Sequence, residues 1–206
     1  MSTFITTHSG LYVDVLEPDI DKLLLADVIH SLSLTCRFNG HCDYFYSTLQ
    51  HSLNVAELCS SAEAKRAGLV HEFAEAVYGD VVTPLKYSIH LDNYRLLEKN
   101  LQRLLYMRLL GKATVPAQVK HADTVCFLAE AYTLNKTLFF AYLRDNYYGS
   151  VVNSIYAIGM RAVDHIDLFE EFIIKLSERL LLDEMRPEEV RTLFYAKAAE
   201  LELNLE

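Results

Sequence analysis

The stretch from Ala62 to Tyr78, AEAKRAGLVHEFAEAVY, decides the fold class that we predict for this chain. It contains no proline, it is rich in alanine and glutamate, and it is followed by Gly79, a residue type that commonly ends helices. We therefore predict one helix over residues 62–78. Apolar side chains with helical spacing begin near Asp19 and continue along the chain.

The rest of the sequence predicts the same class. The chain has 206 residues, of which 51% are apolar and only 7 are glycine and 4 proline. It has no repeat and no linker-like segment, so we predict an all-α fold in a single domain spanning 1–206, with an irregular N-terminal segment at 1–18. Predicted helices lie at 19–37, 47–60, 62–78, 92–110, 116–134, 163–183 and 187–203, with a loop at 81–87 and a less regular region at 136–160.

Composition excludes several classes of function. The net charge of −9 argues against binding to a nucleic-acid polymer, although it does not exclude a small phosphorylated ligand. No apolar run reaches the roughly 18 residues that span a bilayer, and the N-terminus lacks the features of a signal peptide. The four cysteines form no CxxC pair, which is typical of reduced thiols. We therefore expect a cytoplasmic protein without a membrane partner.

Candidate metal ligands lie on separate predicted helices: His51, the doublet His71-Glu72, and Asp123. Divalent transition metals bind imidazoles and carboxylates that converge from different elements. Glu75 follows His71 by four residues, on the same helical face, where it could act as a general base on a water held by the metal. The zinc-peptidase motif HExxH is excluded because position 75 is not histidine.

Each of these residues also has an ordinary structural explanation. A lone helical histidine is usually a surface residue or a satisfied core residue, and a lone helical aspartate is usually solvated. His71 and Glu72, however, interrupt an apolar neighbourhood. Burying two ionisable groups costs free energy unless something compensates them, which favours a functional explanation for this pair.

At these positions the chain resembles the HD-domain metal-dependent phosphohydrolases, and it is most similar to the bacterial 5′-deoxyribonucleotidase branch and its phage relatives. Their signature is an upstream histidine, a His-Asp doublet and a distant aspartate. The matching segments here are Gln50-His51-Ser52, Val70-His71-Glu72, Lys120-His121-Ala122-Asp123, Glu75-Ala76, Gly79-Asp80, Thr83-Pro84-Leu85-Lys86-Tyr87 and Arg37-Phe38-Asn39-Gly40-His41. The resemblance covers nearly the whole chain and implies a single HD-domain helical bundle.

The resemblance also implies a role for each matching residue. One divalent transition metal ion (Co, Mn, Zn or Fe) would be held by His51, His71, Glu72 and Asp123. Glu75 and Asp80 would be catalytic residues, the former acting on the attacking water and the latter binding the deoxyribose hydroxyl. Substrate would also contact Arg37 through its phosphate, Phe38 through its nucleoside and Thr83 through a hydrogen bond, with Lys86 and His41 adding positive charge. Lys86 could instead be an exposed loop lysine, and His41 a residue that packs its loop.

One position departs from the family pattern, because Glu72 stands where the family has aspartate. Its extra methylene moves the carboxylate by about 1.5 Å, whereas metal–ligand distances vary by only about 0.2 Å. The metal preference, the surroundings of the ligands or the catalytic activity could change as a result. We expect activity to be retained, because Glu75, Asp80, Arg37 and Asp123 are all present.

The expected function is therefore metal-dependent hydrolysis of phosphate esters or anhydrides of deoxynucleotides. The substrate could be a monophosphate or a triphosphate, including dATP, dADP and dAMP as in phage relatives. The aromatic stretch 139–156 could line a purine pocket or belong to the core. One alternative is a nucleotide-binding or regulatory HD module in which Glu72 impairs catalysis. Another is a helical dimerisation protein that pairs through the apolar faces of the predicted helices 92–110 and 163–183. The sequence is also compatible with a homo-oligomer.

Overall fold

The computed structural model describes residues 2–145, 148–160 and 166–205. Apart from one two-stranded sheet, the regular elements of these residues are helical, which confirms the predicted all-α fold class. Among the described residues, no helix combines the length and apolar character that a membrane crossing requires. The helices are α1 (Leu25–Leu34), α2 (Thr48–Leu58), α3 (Ala62–Val70), α4 (Glu75–Tyr78), α5 (Thr83–Lys86), α6 (Asp92–Leu110), α7 (Ala117–Leu134), α8 (Lys136–Asp145), α9 (Tyr148–Ala157), α10 (Ile166–Ser177) and α11 (Pro187–Glu200).

The N-terminal segment, predicted to be irregular, contains an antiparallel hairpin of β1 (Phe4–Thr6) and β2 (Tyr12–Asp14). Its turn is attached to α1 by the buried carboxylate of Asp27. That carboxylate accepts hydrogen bonds from the Thr7 hydroxyl at 2.6 Å, the Ser9 hydroxyl at 2.6 Å and the Ser9 backbone N–H at 3.0 Å. The hairpin is therefore held by a side-chain network, which the strand pattern alone does not reveal.

Helix α2 lies at the centre of the fold and packs against α1, α3, α7 and α11. Glu57 is its one exposed residue. Its buried amide side chains bind the segment before α11: Gln50 donates to the carbonyls of Leu181 and Asp183 at 2.9 Å, and Asn54 exchanges two hydrogen bonds with Leu181. The Oε1 atom of Gln50 has no hydrogen-bond partner among the described residues. A polar helix can be largely buried here because the N–H groups of both amides find partners.

Two hydrophobic clusters flank this central helix. One surrounds α7 and contains residues of α8, α9 and α10, and the other lies among α1, α3, α6 and α11. Helix α2 contributes Val55 and Leu58 to the first cluster and Leu49 and Leu53 to the second. The helix that carries His51 is consequently held from both sides.

Helices α2 and α3 approach each other closely at Gly68. A Cβ atom added to Gly68 would lie 3.1 Å from both the Cα and the backbone nitrogen of Ala56. Glycine is therefore required by space at this position, and not by its backbone angles. The close approach brings the C-terminal end of α3, with His71, next to His51.

Several predicted boundaries differ from those observed. The helix predicted over 62–78 is interrupted at 71–74, where Glu75 and Ala76 donate to carbonyls three residues back, at 2.9 and 3.3 Å. The predicted loop at 81–87 contains the short α5. The region at 136–160 contains α8, whose first turn is capped by the Asn135 side chain, and α9. The 19–37 helix begins only at Leu25. The predicted start at 163 lies outside the described residues.

Candidate metal centre

Four side chains from three parts of the fold converge at one point. His51 lies on α2, His71 ends α3, Glu72 follows in the turn, and Asp123 lies on α7. The Nε2 atom of His51 is 3.3 Å from Nε2 of His71 and 3.1 Å from Oδ1 of Asp123. Nε2 of His71 is 3.3 Å from Oε1 of Glu72. One potential ligand atom from each residue lies within 4.8 Å of every other, so the fold brings together all four residues named from the sequence.

These separations fit a metal ion. Ligand atoms around a tetrahedral ion with bonds of about 2.0–2.1 Å lie roughly 3.3–3.4 Å apart, and octahedral neighbours lie somewhat closer. The measured distances of 3.1–3.3 Å fall in this range. Two imidazole nitrogens with two carboxylates are also a donor set that divalent transition metals accept. The residues present therefore suit a divalent ion.

Hydrogen bonds at the far side of each imidazole ring leave the Nε2 atoms available. His51 Nδ1 lies 2.7 Å from Oε1 of Glu130, and His71 Nδ1 lies 2.7 Å from the carbonyl of Gly68. A carbonyl only accepts hydrogen bonds, as does an ionised carboxylate, so each Nδ1 carries the proton. When both rings are neutral, both Nε2 lone pairs point at the same place, where a cation would relieve their repulsion.

The charges around His51 favour a cation at this place. Burial and the nearby Arg37 charge disfavour protonation of His51, but the carboxylates of Glu130 and Asp123 outweigh both and raise the pKa of His51 to about 9. Burial also disfavours the charged form of Glu72, yet His71, His51 and Arg37 hold the pKa of Glu72 below its ordinary value. The carboxylate of Glu72 therefore stays ionised beside the two histidines.

Glu72 lies in the turn at 71–74, which joins α3 to α4. Glu72 does not continue α3, because the helical hydrogen-bonding pattern stops at Val70. Gln102 of α6 spans this turn: its amide nitrogen donates to the Val70 carbonyl at 2.8 Å, and its oxygen accepts from Ala74 N–H at 2.9 Å. The backbone at the doublet is thus held from α6, by a residue that the sequence did not single out.

Glu130, like Gln102, supports the candidate site and was not singled out from the sequence. Its carboxylate is fully buried on α7 and accepts from His51 Nδ1 at 2.7 Å, the Tyr46 hydroxyl at 2.7 Å and Arg37 Nη2 at 3.3 Å. Burial opposes its ionisation, but His51 and Arg37 hold the pKa of Glu130 well below its usual range. A signal was present, since Glu130 lies two turns after Asp123 on the same helical face, within an apolar run.

A second grouping, of His51, Cys126 and Glu130, is less suited to a metal ion. Burial raises the pKa of the Cys126 thiol well above its usual value, and the adjacent Glu130 carboxylate raises it further. The protonated thiol instead donates to Glu130 Oε1 at 3.2 Å. Because metals bind the thiolate, the grouping of His51 with His71 is the better candidate.

Arg37 and Phe38 lie in a turn at Arg37–Gly40, beside the grouping. Phe38 and Asn39 have φ angles of 55° and 54°, in the left-handed region that side chains other than glycine adopt at a cost. The Arg37 guanidinium is buried against Glu130, and its Nε atom has no hydrogen-bond partner among the described residues. Phe38 packs on Phe127 of α7, with ring centroids 6.0 Å apart. The turn thus places the Arg37 guanidinium, which has an unused N–H donor, near the four candidate ligands.

Glu75 begins α4 and is 4% exposed. Burial raises the pKa of Glu75 well above its usual value, and the charges of Glu72 and Asp80 raise it further, against the effect of Lys86. Its Oε1 lies 3.5 Å from Lys86 Nζ, while its Oε2 has no hydrogen-bond partner among the described residues. Lys86 pairs more closely with Glu98, at 2.6 Å, so it is a partly buried, ion-paired lysine and not an exposed loop residue.

The remaining predicted substrate residues are Asp80, Thr83 and His41, of which Asp80 feels the charges of Arg37, Glu72 and His51. Asp80 is partly buried, and burial raises its pKa against the opposing charge of Arg37. Thr83 is exposed at the start of α5. His41 is also exposed, and its backbone carbonyl accepts from the Asn135 side chain at 2.8 Å, which links its loop to the end of α7.

The aromatic stretch 139–156 divides between core and site. Phe139 is 1% exposed and stacks on Phe169, so it belongs to the core. Tyr142 instead contacts Phe127, with centroids 4.8 Å apart, and burial together with the Asp123 charge raises its pKa. Residues 146–147 of this stretch lie outside the described residues.

Fold and site together define an all-α protein with a two-histidine, two-carboxylate grouping that could hold a metal ion. No family model matches the chain. An uncharacterized protein of Rhodobacter capsulatus is 35% identical over 135 residues, which cover 60% of this chain and 68% of that relative. The uncharacterized protein YfdR of Escherichia coli K12 is 30% identical over 128 residues, covering 62% of this chain and 70% of YfdR. The chain belongs to the family that these two relatives represent.

Proposed function

We propose that the protein is a metal-dependent phosphohydrolase of the HD-domain type that acts on deoxynucleotides. The observation that carries this proposal is the convergence of His51 Nε2 and His71 Nε2, 3.3 Å apart, with the carboxylates of Glu72 and Asp123. The sequence resemblance to deoxyribonucleotidases supports the choice of reaction and substrate. Under this proposal, His51, His71, Glu72 and Asp123 hold one divalent ion of Co, Mn, Zn or Fe.

Such an ion supplies Lewis-acid activation of water and positive charge for phosphate oxygens. Glu75 accepts the proton that the attacking water loses. Its burial raises the pKa of Glu75, which makes its carboxylate a stronger proton acceptor than an exposed glutamate. The Oε2 atom, which has no partner among the described residues, is the free acceptor for that proton.

Arg37 binds the phosphate and stabilises the negative charge that builds up on it. Its side chain is 11% exposed and its charge is held in place by Glu130, so it is ordered before substrate arrives. Lys86 adds positive charge near Glu75, to which it lies 3.5 Å away. Phe38 packs on the nucleoside, Asp80 binds the deoxyribose hydroxyl, and Thr83 forms a hydrogen bond to the substrate.

The test is a screen for phosphate release from deoxy- and ribonucleoside mono-, di- and triphosphates, with Mn²⁺, Co²⁺, Zn²⁺ and Fe²⁺ added separately to the metal-free protein. We expect release from deoxynucleotides, including dAMP or dATP. Absence of release with every ion would refute the proposal. Metal and nucleotide binding without turnover would instead support a binding or regulatory module, in which Glu72 impairs catalysis.

The variant Glu75→Gln examines the general base in the same assay. We expect turnover to fall by about 100- to 10,000-fold, because the amide cannot accept the proton, while Mn²⁺ binding stays within about twofold of wild type. Glu57→Gln, on the exposed face of α2, is the matched control and should leave turnover unchanged. Retained turnover in Glu75→Gln would refute the role of Glu75 and not the metal site.

A further inference from the structure

The buried carboxylate of Glu130 contacts both a candidate metal ligand, His51, and the candidate phosphate-binding residue, Arg37. Its Oε1 accepts from His51 Nδ1 at 2.7 Å, and its Oε2 accepts from Arg37 Nη2 at 3.3 Å. Tyr46 and Cys126 add hydrogen bonds to Oε1, at 2.7 and 3.2 Å. All of these groups are buried, so no water competes for the carboxylate.

We propose that Glu130 is a positioning residue that orients His51 for metal binding through one oxygen and places the Arg37 guanidinium through the other. The Arg37 half of this inference rests on the proposed function, since it assigns to Arg37 the binding of a phosphate group. The His51 half does not, because it concerns metal binding alone.

The first half follows from the chemistry of imidazole. A ring whose Nδ1 donates to a carboxylate keeps its Nε2 free and becomes a better electron donor there. The ring of His51 also cannot rotate, because its Nδ1 is attached to Glu130 while its Nε2 is 3.1 Å from Asp123. Glu130 therefore aims Nε2 of His51 at His71.

The second half follows from the geometry of Arg37. The residue lies in a turn with left-handed backbone at the next two positions, and its side chain crosses buried space to reach α7. The Glu130 charge compensates the burial of the guanidinium, while the Nε atom keeps its hydrogen for another acceptor. Without Glu130, a buried arginine would lose its counter-charge and would move towards solvent.

The experiment compares the wild-type protein with Glu130→Gln, Arg37→Met and Asp27→Asn by calorimetric titration of Mn²⁺ into metal-free protein. Asp27 is the matched control, because it is a buried carboxylate outside the ligand grouping whose three hydrogen bonds come from the turn of the N-terminal hairpin. Glu130→Gln should weaken Mn²⁺ binding by about 10- to 100-fold. Arg37→Met and Asp27→Asn should leave it within about threefold, whatever their effect on the melting temperature. Unchanged Mn²⁺ affinity in a folded Glu130→Gln protein would overturn the His51 half.

Titration of inorganic phosphate into the Mn²⁺-saturated proteins examines the Arg37 half. Glu130→Gln and Arg37→Met should each weaken phosphate binding by about tenfold or more, and Asp27→Asn should not. Wild-type phosphate affinity in Glu130→Gln would overturn this half. Both titrations are made without turnover, so a protein that hydrolyses no nucleotide would refute the proposed function and leave the His51 half standing.

If Glu130→Gln does not fold, the wild-type protein still decides the first half. In its Zn²⁺-loaded form, a long-range ¹⁵N–¹H spectrum of the histidine side chains distinguishes Nδ1–H from Nε2–H rings. We expect His51 to carry a single proton on Nδ1, shifted downfield by its carboxylate partner. A proton on Nε2 of His51 would overturn the inference.

Discussion

His51 on α2 and His71 at the end of α3 place their Nε2 atoms 3.3 Å apart, and the contact between the two helices sets this separation. Gly68 lies one turn before His71, where α3 meets the backbone of Ala56 on α2. The carbonyl of Gly68 also accepts from His71 Nδ1 at 2.7 Å. One glycine thus serves both the packing of the helices and the orientation of a candidate ligand.

Replacing Gly68 by alanine should therefore disturb the metal centre as well as the fold. The new Cβ would lie 3.1 Å from Ala56 backbone atoms, which cannot move without moving α2. We expect a loss of about 1–3 kcal/mol in unfolding free energy and a weakening of Mn²⁺ binding by about tenfold. Gly111→Ala is the matched control, because Gly111 ends α6 with a φ of 67° and has nothing within 4 Å of an added Cβ. It should lower stability by about 1 kcal/mol and leave Mn²⁺ affinity unchanged.

His71→Ala should abolish tight metal binding, because it removes one of two nitrogen donors from the grouping. We expect Mn²⁺ affinity to fall by more than about 100-fold, measured by calorimetry on the metal-free protein. His90→Ala is the control, since His90 is exposed and lies outside the grouping. An affinity for His71→Ala within threefold of wild type would mean that the ion binds elsewhere.

Gln102→Leu should destabilise the turn that carries Glu72. Both hydrogen bonds that span the turn are lost, which leaves the Ala74 N–H without its partner, while the Val70 carbonyl keeps the N–H of Phe73 at 3.3 Å. An unsatisfied buried backbone group costs about 1–3 kcal/mol, so we expect a loss of about 1–3 kcal/mol in urea unfolding. Gln118→Leu removes a partly buried glutamine whose hydrogen bonds to Ser60 are exposed to solvent, and it should change stability by less than about 1 kcal/mol. Equal effects of the two substitutions would contradict the role of Gln102.

The metal-free protein should lose stability as the pH rises from neutral to alkaline. The pKa of His51 is raised from 6.5 to about 9 in the folded protein, so folding favours the protonated ring. This contribution is fully present below pH 6.5 and is lost as the pH rises to about 9. We expect the unfolding free energy to fall by on the order of 1–3 kcal/mol over that interval, and Glu130→Gln to flatten the fall.

Mn²⁺ binding should show the opposite pH dependence. The ion requires the neutral ring, so its affinity should rise over the same interval, with release of a proton. Calorimetry in two buffers of different ionisation enthalpy measures that proton directly. Binding of Mn²⁺ without proton release at pH 7 would contradict the raised pKa of His51.

Helix positions and ligand identities were accessible from the sequence to different degrees. The apolar spacing predicted α2, α6, α7 and α11 close to their observed bounds, because an amphipathic pattern reports directly on a helix. It did not predict the break at 71–74. That break depends on hydrogen bonds from Gln102, which lies in a distant part of the chain.

The candidate ligands His51, His71, Glu72 and Asp123 were recognisable because their residue types suit a metal ion and match a known motif. Glu130 was not singled out, despite its position two turns after Asp123, because a glutamate in a helix is ordinarily solvated and its burial follows from the packing of α7 on α2. The pairing of Lys86 with Glu98 was missed for the same reason.

The amino-acid sequence by itself therefore determined that the chain is helical and which four residues could be metal ligands, since both follow from local patterns and residue chemistry. Only the tertiary structure decided which nitrogen of each histidine faces the site, because the hydrogen-bond partner of Nδ1 comes from another helix for His51 and from the preceding turn for His71. It also decided that Arg37 is held by Glu130, a contact across ninety-three positions of sequence that no local pattern encodes.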